Sequence, residues 1–137
     1  MIRKGTYVLF LRFHSDTDAD VGSLGKIHLP KGDYCYVGSA MGGLDQRLNR
    51  HLSHDKRIRW HIDRLTVLCE EMYAYESTLP IPECELADIV SSSGGVPAVK
   101  GFGCSDCHCA THLFRIEPDS VMEALESRGL TKFVKNQ

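Results

Sequence analysis

Two short tyrosine motifs and a basic segment in the first third of the chain carry residue types suited to phosphate chemistry. The motifs are Gly5-Thr6-Tyr7 and Tyr36-Val37-Gly38, and Arg47 and His51 follow them four positions apart. Phenols can exchange protons, and a guanidinium matches phosphate oxygens with a planar set of N–H donors. Together these residues form the acid/base and anion-binding set that cleavage of a phosphodiester requires.

The two motif tyrosines need a charged neighbour before either can act as a base. A phenol has an ordinary pKa of about 10, and a nearby cation lowers the cost of ionising it. Arg47 is the cation that we expect beside Tyr7 and Tyr36. The structural alternative is that each tyrosine is an amphipathic core residue, as we expect for Tyr34, which lies on the same strand face as Tyr36 but belongs to no motif.

The segment after the second tyrosine motif predicts an amphipathic helix. Its apolar residues are Leu44, Leu48 and Leu52, which recur every four positions. A cationic face then carries Arg47, Arg50, His51 and His54. Arg47 offers donors that match phosphate oxygens, and the other three side chains could extend the contact along a backbone, whereas the alternative is a solvated basic face.

A divalent metal is the remaining requirement for phosphodiester hydrolysis, and Mg²⁺ or Mn²⁺ takes hard oxygen ligands. Glu83 and Glu85 precede an apolar stretch that predicts a helix over 82–90. Either carboxylate could hold the metal. The alternative is that both stabilise the start of the helix by interacting with its dipole.

A histidine and an aspartate lie in the predicted helix over 58–68. Helical spacing would bring His61 near Arg57 and Arg64, and its role is either catalytic or structural. Asp63 is interpreted as a cap or a salt-bridge partner.

A compact cysteine and histidine cluster follows at Cys104, Cys107, Cys109 and His112. Four soft ligands within nine residues could hold a structural Zn²⁺. The alternatives are a reduced thiol loop, or a loop in which Asp106 and His112 fold back to the predicted phosphate site. We expect reduced cysteines, because no export signal precedes them.

The length of 137 residues predicts a single domain over 1–137, in which 94–137 forms a C-terminal extension carrying the Cys/His-rich loop. No run approaches the roughly 20 apolar residues of a membrane span, so we expect a cytoplasmic protein without a membrane partner. The net charge is −2. It divides into +4 over residues 1–66 and −6 over 67–137, which gives weak support for phosphate binding by the first half.

The apolar pattern predicts an α/β (α+β) fold whose small central sheet has three antiparallel strands flanked by helices. The strands are an antiparallel meander over 7–13, 21–29 and 34–38. Further patterns predict a strand over 71–75, a strand over 112–116 and a closing helix over 119–128 that Gly129 stops.

The tyrosine motifs, Arg47 and His51 together resemble the GIY-YIG nuclease superfamily. This resemblance implies a GIY-YIG-like fold, in which the two motif tyrosines line the site and one of them activates water. It also implies that Arg47 and His51 bind and stabilise the phosphate, which leaves Arg50 and His54 to a solvated basic face. It also implies a metal-binding glutamate on a helix after the sheet, for which Glu85 is the better positional match and Glu83 the second. Some members carry a histidine that assists the site, and His61 is at the corresponding place.

The Ser-Asp-Cys-x-Cys-x2-His-Leu segment, over 105–113, is similar to an uncharacterised, mainly archaeal branch of that superfamily, sometimes fused to endonuclease III. Resemblance to this branch covers nearly the whole chain.

We therefore expect a divalent-metal-dependent endonuclease that hydrolyses phosphodiester bonds in DNA during DNA repair. A catalytically silent nucleic-acid-binding module and a zinc-stabilised interaction domain remain open as alternatives. A homo-oligomer or a DNA-repair partner would supply the specificity that so small a domain often lacks.

Overall fold

The computed structural model describes residues 2–103 and 109–134. The strands are β1 (Gly5–Phe13), β2 (Thr17–Asp20), β3 (Lys26–Leu29), β4 (Gly32–Ala40), β5 (Glu71–Ser77), β6 (Val96–Pro97), β7 (Leu113–Arg115) and β8 (Thr131–Lys132). The helices are α1 (Leu44–His51), α2 (Asp63–Thr66), α3 (Glu83–Ser92) and α4 (Pro118–Arg128), with a short 3₁₀ turn at Gly22–Leu24.

Six of the strands form one antiparallel sheet in the order β6-β7-β4-β1-β5-β8. The expected mixed α and β class, with an antiparallel sheet between helices, is confirmed, but the expectation of three strands is wrong. The three long strands β4, β1 and β5 do form the centre of the sheet. Short strands of two or three residues then pair with their outer edges, which would otherwise expose unpaired backbone groups.

The region between the two tyrosine motifs forms a hairpin of its own. Strands β2 and β3 pair only with each other, so the predicted three-stranded meander is wrong. β1 pairs directly with β4, which places Tyr7 opposite Gly38 and Leu9 opposite Tyr36. The inserted hairpin therefore leaves the two motif strands adjacent.

The described part of the predicted C-terminal extension belongs to the main sheet. β7 pairs with β4, and β8 pairs with β5. This segment completes the sheet and is not an appendage to it.

The two faces of the sheet are covered by different elements. Leu9 and Leu11 of β1 pack in a buried cluster with the α1 residue Leu48, whereas Val8 and Phe10 point to the opposite face. That second cluster includes residues of α3 and α4. The alternation along β1 follows the strand period of two, and both faces are apolar because both are buried.

The helix predicted over 58–68 is mostly absent, since α2 contains only Asp63–Thr66. The Asp63 carboxylate accepts hydrogen bonds from the backbone N–H groups of Arg59 and Trp60, at 2.8 and 2.9 Å. Side-chain to backbone bonds of this kind favour a turn over a helix. Within 2–103 and 109–134, no helix has the length and apolar character needed to cross a bilayer.

Candidate active site

The two motif glycines are required by the close packing around Tyr7. A Cβ atom on Gly38 would lie 2.5 Å from Cζ and from the hydroxyl oxygen of Tyr7. A Cβ atom on Gly5 would lie 1.8 Å from the carbonyl oxygen of Ser77, on neighbouring strand β5. Glycine at these two positions lets the Tyr7 ring lie over β4 while β1 and β5 remain paired.

A cleft of about 620 Å³ opens where β1 begins and β4 ends. It is lined by the predicted residues Tyr7, Tyr36 and Arg47, together with Glu83. The Thr6 hydroxyl donates to the carbonyl oxygen of Ile81 at 3.0 Å, which holds the segment before α3 against β1. Residues from the sheet and both sides of it are thereby brought to one cleft.

Tyr7, which lines this cleft, forms a buried pair with His51, which does not. The Tyr7 hydroxyl lies 2.8 Å from His51 Nε2, and both residues are almost completely buried. Burial, assisted by the Lys56 cation, lowers the pKa of His51 to about 3. His51 is therefore neutral at pH 7 and its ring contacts the Tyr7 hydroxyl, so that its expected role in phosphate binding stays a prediction.

The protonated nitrogen of His51 can be assigned from its surroundings. Nδ1 is buried and has no hydrogen-bond partner among the described residues. Nδ1 is unpaired among these residues in either tautomer, but a buried N–H donor without a partner is rarer in proteins than an unpaired acceptor, so we assign the proton to Nε2. With the proton on Nε2, His51 donates to the Tyr7 oxygen and leaves the Tyr7 proton for the cleft. Burial also raises the pKa of Tyr7, with a smaller contribution from Tyr36, so that Tyr7 is a neutral donor.

Tyr36 and Tyr34 occupy the different environments that their sequence contexts predict. Tyr36 is half-buried, lines the cleft and packs its ring edge-to-face on Phe102 at 5.8 Å between centroids. Tyr34 is fully buried, and its hydroxyl donates to the carbonyl oxygen of Pro30 at 2.6 Å. Tyr34 is thus structural.

Arg47 is held at the cleft by two contacts. Its Nη1 donates to the carbonyl oxygen of Ser39 at 3.1 Å, and its guanidinium carbon lies 4.5 Å from the centre of the Trp60 ring. Among the described residues, Arg50 differs from Arg47 in that it has a carboxylate partner, since it donates to both carboxylate oxygens of Asp63. Asp63 is accordingly a salt-bridge partner, as predicted, and Arg50 has a structural role.

Glu83 is the carboxylate of the cleft. It accepts a hydrogen bond from the Ser39 hydroxyl, and its Oε1 lies 3.2 Å from His112 Nδ1. The His112 ring, and to a lesser degree Ser39, hold the pKa of Glu83 below its usual range despite its partial burial. No second carboxylate lines this cleft within the described part of the chain.

Only one of the two candidate glutamates lines the cleft. Glu85 does not line the cleft, and its Oε2 instead accepts from Arg128 Nε of α4 at 2.6 Å. Both glutamates lie in the first turn of α3, but positions two apart on a helix point in different directions. Glu83, the second choice from the sequence, is the one that faces Tyr7 and Arg47.

A second cleft of about 500 Å³ adjoins the first. The two clefts share Tyr7, Tyr36, Arg47 and Gly103, so they meet along these residues. The second cleft is lined on its other side by cationic and aromatic side chains, which include Arg59, Trp60, His61 and Phe102. His61 therefore belongs to this second cleft and does not line the first.

The cysteine and histidine prediction is only partly within the described residues. Cys104 and Cys107 lie outside them, so that half of the predicted zinc site stays a prediction. Cys109 and His112 come together with Cys84, and the three potential ligand atoms lie within 4.8 Å of one another. Cys84 adjoins Glu83 in α3 and lines the first cleft.

Some site residues carried too little signal in the sequence to be chosen. Trp60 is the single tryptophan in a basic stretch, which could have marked it as an aromatic contact surface. Ser39 follows the second tyrosine motif directly. Cys84 is 20 residues before the cysteine cluster, and no spacing rule joins it to that cluster.

In class, the protein is an α+β domain whose central antiparallel strands end at a cleft of tyrosine, arginine and carboxylate side chains. The chain belongs to the family described as domain of unknown function DUF123, which matches residues 6–133. The match includes Tyr7, the second tyrosine motif, Arg47, Glu83 and the segment from Cys109 to His112. Neither the curated proteins nor the solved structures give a significant match.

Proposed function

We propose that the protein is a divalent-metal-dependent endonuclease of the GIY-YIG type, which hydrolyses phosphodiester bonds in DNA. The observation that carries this proposal is the convergence of Tyr7, Tyr36, Arg47 and Glu83 on one cleft. A phosphoryl transfer site needs a charge-stabilising donor, a proton-transfer group and a metal-binding carboxylate. These four residues supply all three.

Arg47 binds the scissile phosphate. Its guanidinium donates to the Ser39 carbonyl oxygen and also interacts with the Tyr7 hydroxyl, and its remaining donors would bind phosphate oxygens. Its contact with Trp60 fixes the plane of the guanidinium before substrate arrives. An arginine held in place in this way stabilises the charge that grows on the phosphate during the reaction without first having to reorganise.

Tyr7 and Tyr36 handle protons on either side of the phosphate. Tyr7 is a neutral phenol that donates a hydrogen bond to a phosphate or leaving-group oxygen, because His51 holds its oxygen from behind. Tyr36 is less buried and lies at the junction of the two clefts, where water has access. We assign to Tyr36 the task of orienting the attacking water.

Glu83 is the residue that would hold Mg²⁺ or Mn²⁺. Its ionised carboxylate fits this role, since Mg²⁺ often binds one or two carboxylates and keeps several waters. When bound, the metal supplies Lewis-acid stabilisation of the phosphate. Ser39 and His112 orient the carboxylate, because each contacts a different one of its oxygens.

The second cleft extends the site along a polymeric substrate. Its arginine and aromatic side chains can bind the phosphate backbone and stack on exposed bases. DNA with a single-stranded or distorted segment would present such bases, which is consistent with a role in DNA repair. A small molecule would not need both clefts.

The test is a cleavage assay on labelled single-stranded, duplex and branched DNA with Mg²⁺, with Mn²⁺ or with chelator. We expect metal-dependent cleavage, and Arg47→Ala should lower its rate about a hundredfold or more, because a preorganised donor is lost. Arg64→Ala is the matched control, since this exposed arginine lines neither cleft and removes the same charge. A folded Arg47→Ala protein with unchanged turnover would remove the arginine from the mechanism.

A silent nucleic-acid-binding module is the second candidate function. It is favoured by the contacts that the Trp60 ring makes with Arg47, Arg50 and Arg59. These contacts form a cationic and aromatic surface that could bind nucleic acid whether or not the cleft is catalytic. DNA binding without cleavage of any of these substrates, with either metal, would identify this alternative.

A further inference from the structure

Three soft ligands from two distant segments meet at the start of α3. Cys84 belongs to the first turn of that helix, whereas Cys109 and His112 precede β7. The Sγ atoms of Cys84 and Cys109 are 2.9 Å apart, and the potential ligand atoms of all three residues lie within 4.8 Å of one another. All three residues are partly or fully buried.

We propose that Cys84, Cys109 and His112 bind a zinc ion that fastens the segment before β7 to α3. Two thiolates and an imidazole are a donor set that zinc prefers over the hard ligands of Mg²⁺. With Zn–S bonds of about 2.3 Å, the two sulfurs of a tetrahedral site lie about 3.8 Å apart. The thiols must therefore separate by less than 1 Å, which small side-chain rotations provide.

Glu83 is the carboxylate that would orient the ligand His112 without binding the zinc itself. Its carboxylate lies 3.2 Å from His112 Nδ1, and ligating histidines commonly contact a carboxylate through the nitrogen that does not bind the metal. His112 Nε2 would then ligate the zinc. The three protein ligands leave one position for water or another donor.

A zinc ion at this place would hold two residues beside Glu83 in position. Cys84 follows Glu83 directly, and His112 contacts Glu83, so that one ion would fix both neighbours of the cleft carboxylate. This zinc is distinct from the Mg²⁺ or Mn²⁺ proposed at Glu83. Zinc binding does not depend on nuclease activity, and its test uses no substrate.

The test measures zinc content and affinity in the full chain, purified under reducing conditions without added metal. We expect close to one zinc per chain, and both Cys84→Ser and Cys109→Ser should weaken zinc affinity about a hundredfold or more. Cys69→Ala is the control that should retain zinc, because Cys69 is a core residue outside the cluster. Replacing the zinc with Co²⁺ should give thiolate charge-transfer absorption in the wild-type protein and not in Cys84→Ser.

Cysteine alkylation of the wild-type protein keeps the proposal testable if a variant fails to fold. Zinc should protect Cys84 and Cys109 from alkylation, as mapped by mass spectrometry. Protection of Cys104 and Cys107 while Cys84 stays reactive would overturn the proposal in favour of a site within the loop. A disulfide between Cys84 and Cys109 in the reduced preparation, or a chain that binds no zinc, would also overturn it.

Discussion

At the scale of single residues, the position and the neutral state of Tyr7 depend on the small size of Gly38 and on the neutral ring of His51. Gly38 has no side chain to displace the phenol, and His51 has no charge at neutral pH to compete with Arg47 for an anion. The tyrosine is consequently buried, neutral and fixed. Tyr7 is held as a hydrogen-bond donor. Of the acid and base roles expected from the sequence, this arrangement favours the acid role for Tyr7.

Gly38→Ala should disturb Tyr7 specifically. The new methyl group would meet the Tyr7 ring at 2.5 Å, and overpacking of this kind costs about 1–3 kcal/mol of stability. Urea unfolding should report this loss, and cleavage should fall with it. Gly42→Ala is the control, since a Cβ atom there meets nothing within 4 Å. Equal stability of the two variants would show that the Tyr7 ring can move aside freely.

His51 should make stability depend on pH in the acid range. The native pKa is lowered to about 3, whereas an unfolded histidine titrates near its ordinary value of about 6.5. Between these values the unfolded state binds more protons, so the contribution of His51 is complete above pH 6.5 and is lost as the pH falls towards 3. The slope approaches about 1.4 kcal/mol per pH unit.

Urea unfolding of the wild-type protein and His51→Gln, measured from pH 7 to pH 4, separates this effect from the titration of carboxylates shared by both. The difference in free energy of unfolding between the two proteins should shrink with acidification. The surrounding charges are Lys56, Asp63, Arg47 and Arg50. Parallel pH profiles would contradict a buried neutral histidine.

At the scale of elements, the segment between α1 and α2 is organised by Asp63. Burial alone would raise the pKa of this carboxyl, but the Arg50 guanidinium and the N–H groups of Trp60 and Arg59 bring it below its usual range. These bonds hold Trp60 where Arg47 and Arg50 each contact its ring, at 4.5 Å from the ring centre. One buried carboxylate thus shapes the wall of the second cleft.

Asp63→Ala should cost about 3–5 kcal/mol, because Arg50 and two backbone donors lose their partner together. Thermal or urea unfolding measures the loss. Asp55→Ala in the same segment should stay within about 0.5 kcal/mol of the wild type, since Asp55 is exposed. A loss at position 63 no greater than that at position 55 would show that Asp63 does not organise this segment.

The sequence predicted the long elements because their patterns extend over several periods. β1, α1 and α4 lie close to the expected ranges, and Gly129 ends α4 in the left-handed conformation, as expected. β6 and β8 have two residues each, too few for any alternation to show. These two strands form because the edges of the sheet offer unpaired backbone groups, and not because of the β-propensity of their own residues.

The candidate site was predictable where residues shared a motif or a helix face and unpredictable where it depended on distant contact. Tyr7, Tyr36 and Arg47 were chosen through the motifs that carry the resemblance. For the choice between Glu83 and Glu85, the apolar pattern of α3 held a signal that was not used, because the buried Leu86, Ala87 and Val90 follow Glu83 by three, four and seven positions and so share its helix face. Cys84 needed the packing of α3 against the segment before β7.

At the scale of the whole molecule, the cleft lies where the two layers flanking the sheet approach each other at one end of the central strands. α1 brings Arg47 from one layer, and α3 brings Glu83 from the other. The sheet itself contributes Tyr7 and Tyr36. Phosphodiester cleavage at this cleft would therefore require residues from all three layers to act together.

Comparison of Glu83→Gln with Glu85→Gln tests this central claim most directly. Both changes remove one negative charge from the first turn of α3, but only Glu83 faces the cleft. Metal-dependent DNA cleavage should be abolished in Glu83→Gln, because a neutral amide is a poor magnesium ligand, while DNA affinity is retained. Glu85→Gln should cleave at close to the wild-type rate. Full activity of Glu83→Gln, or loss of activity only in Glu85→Gln, would contradict the account.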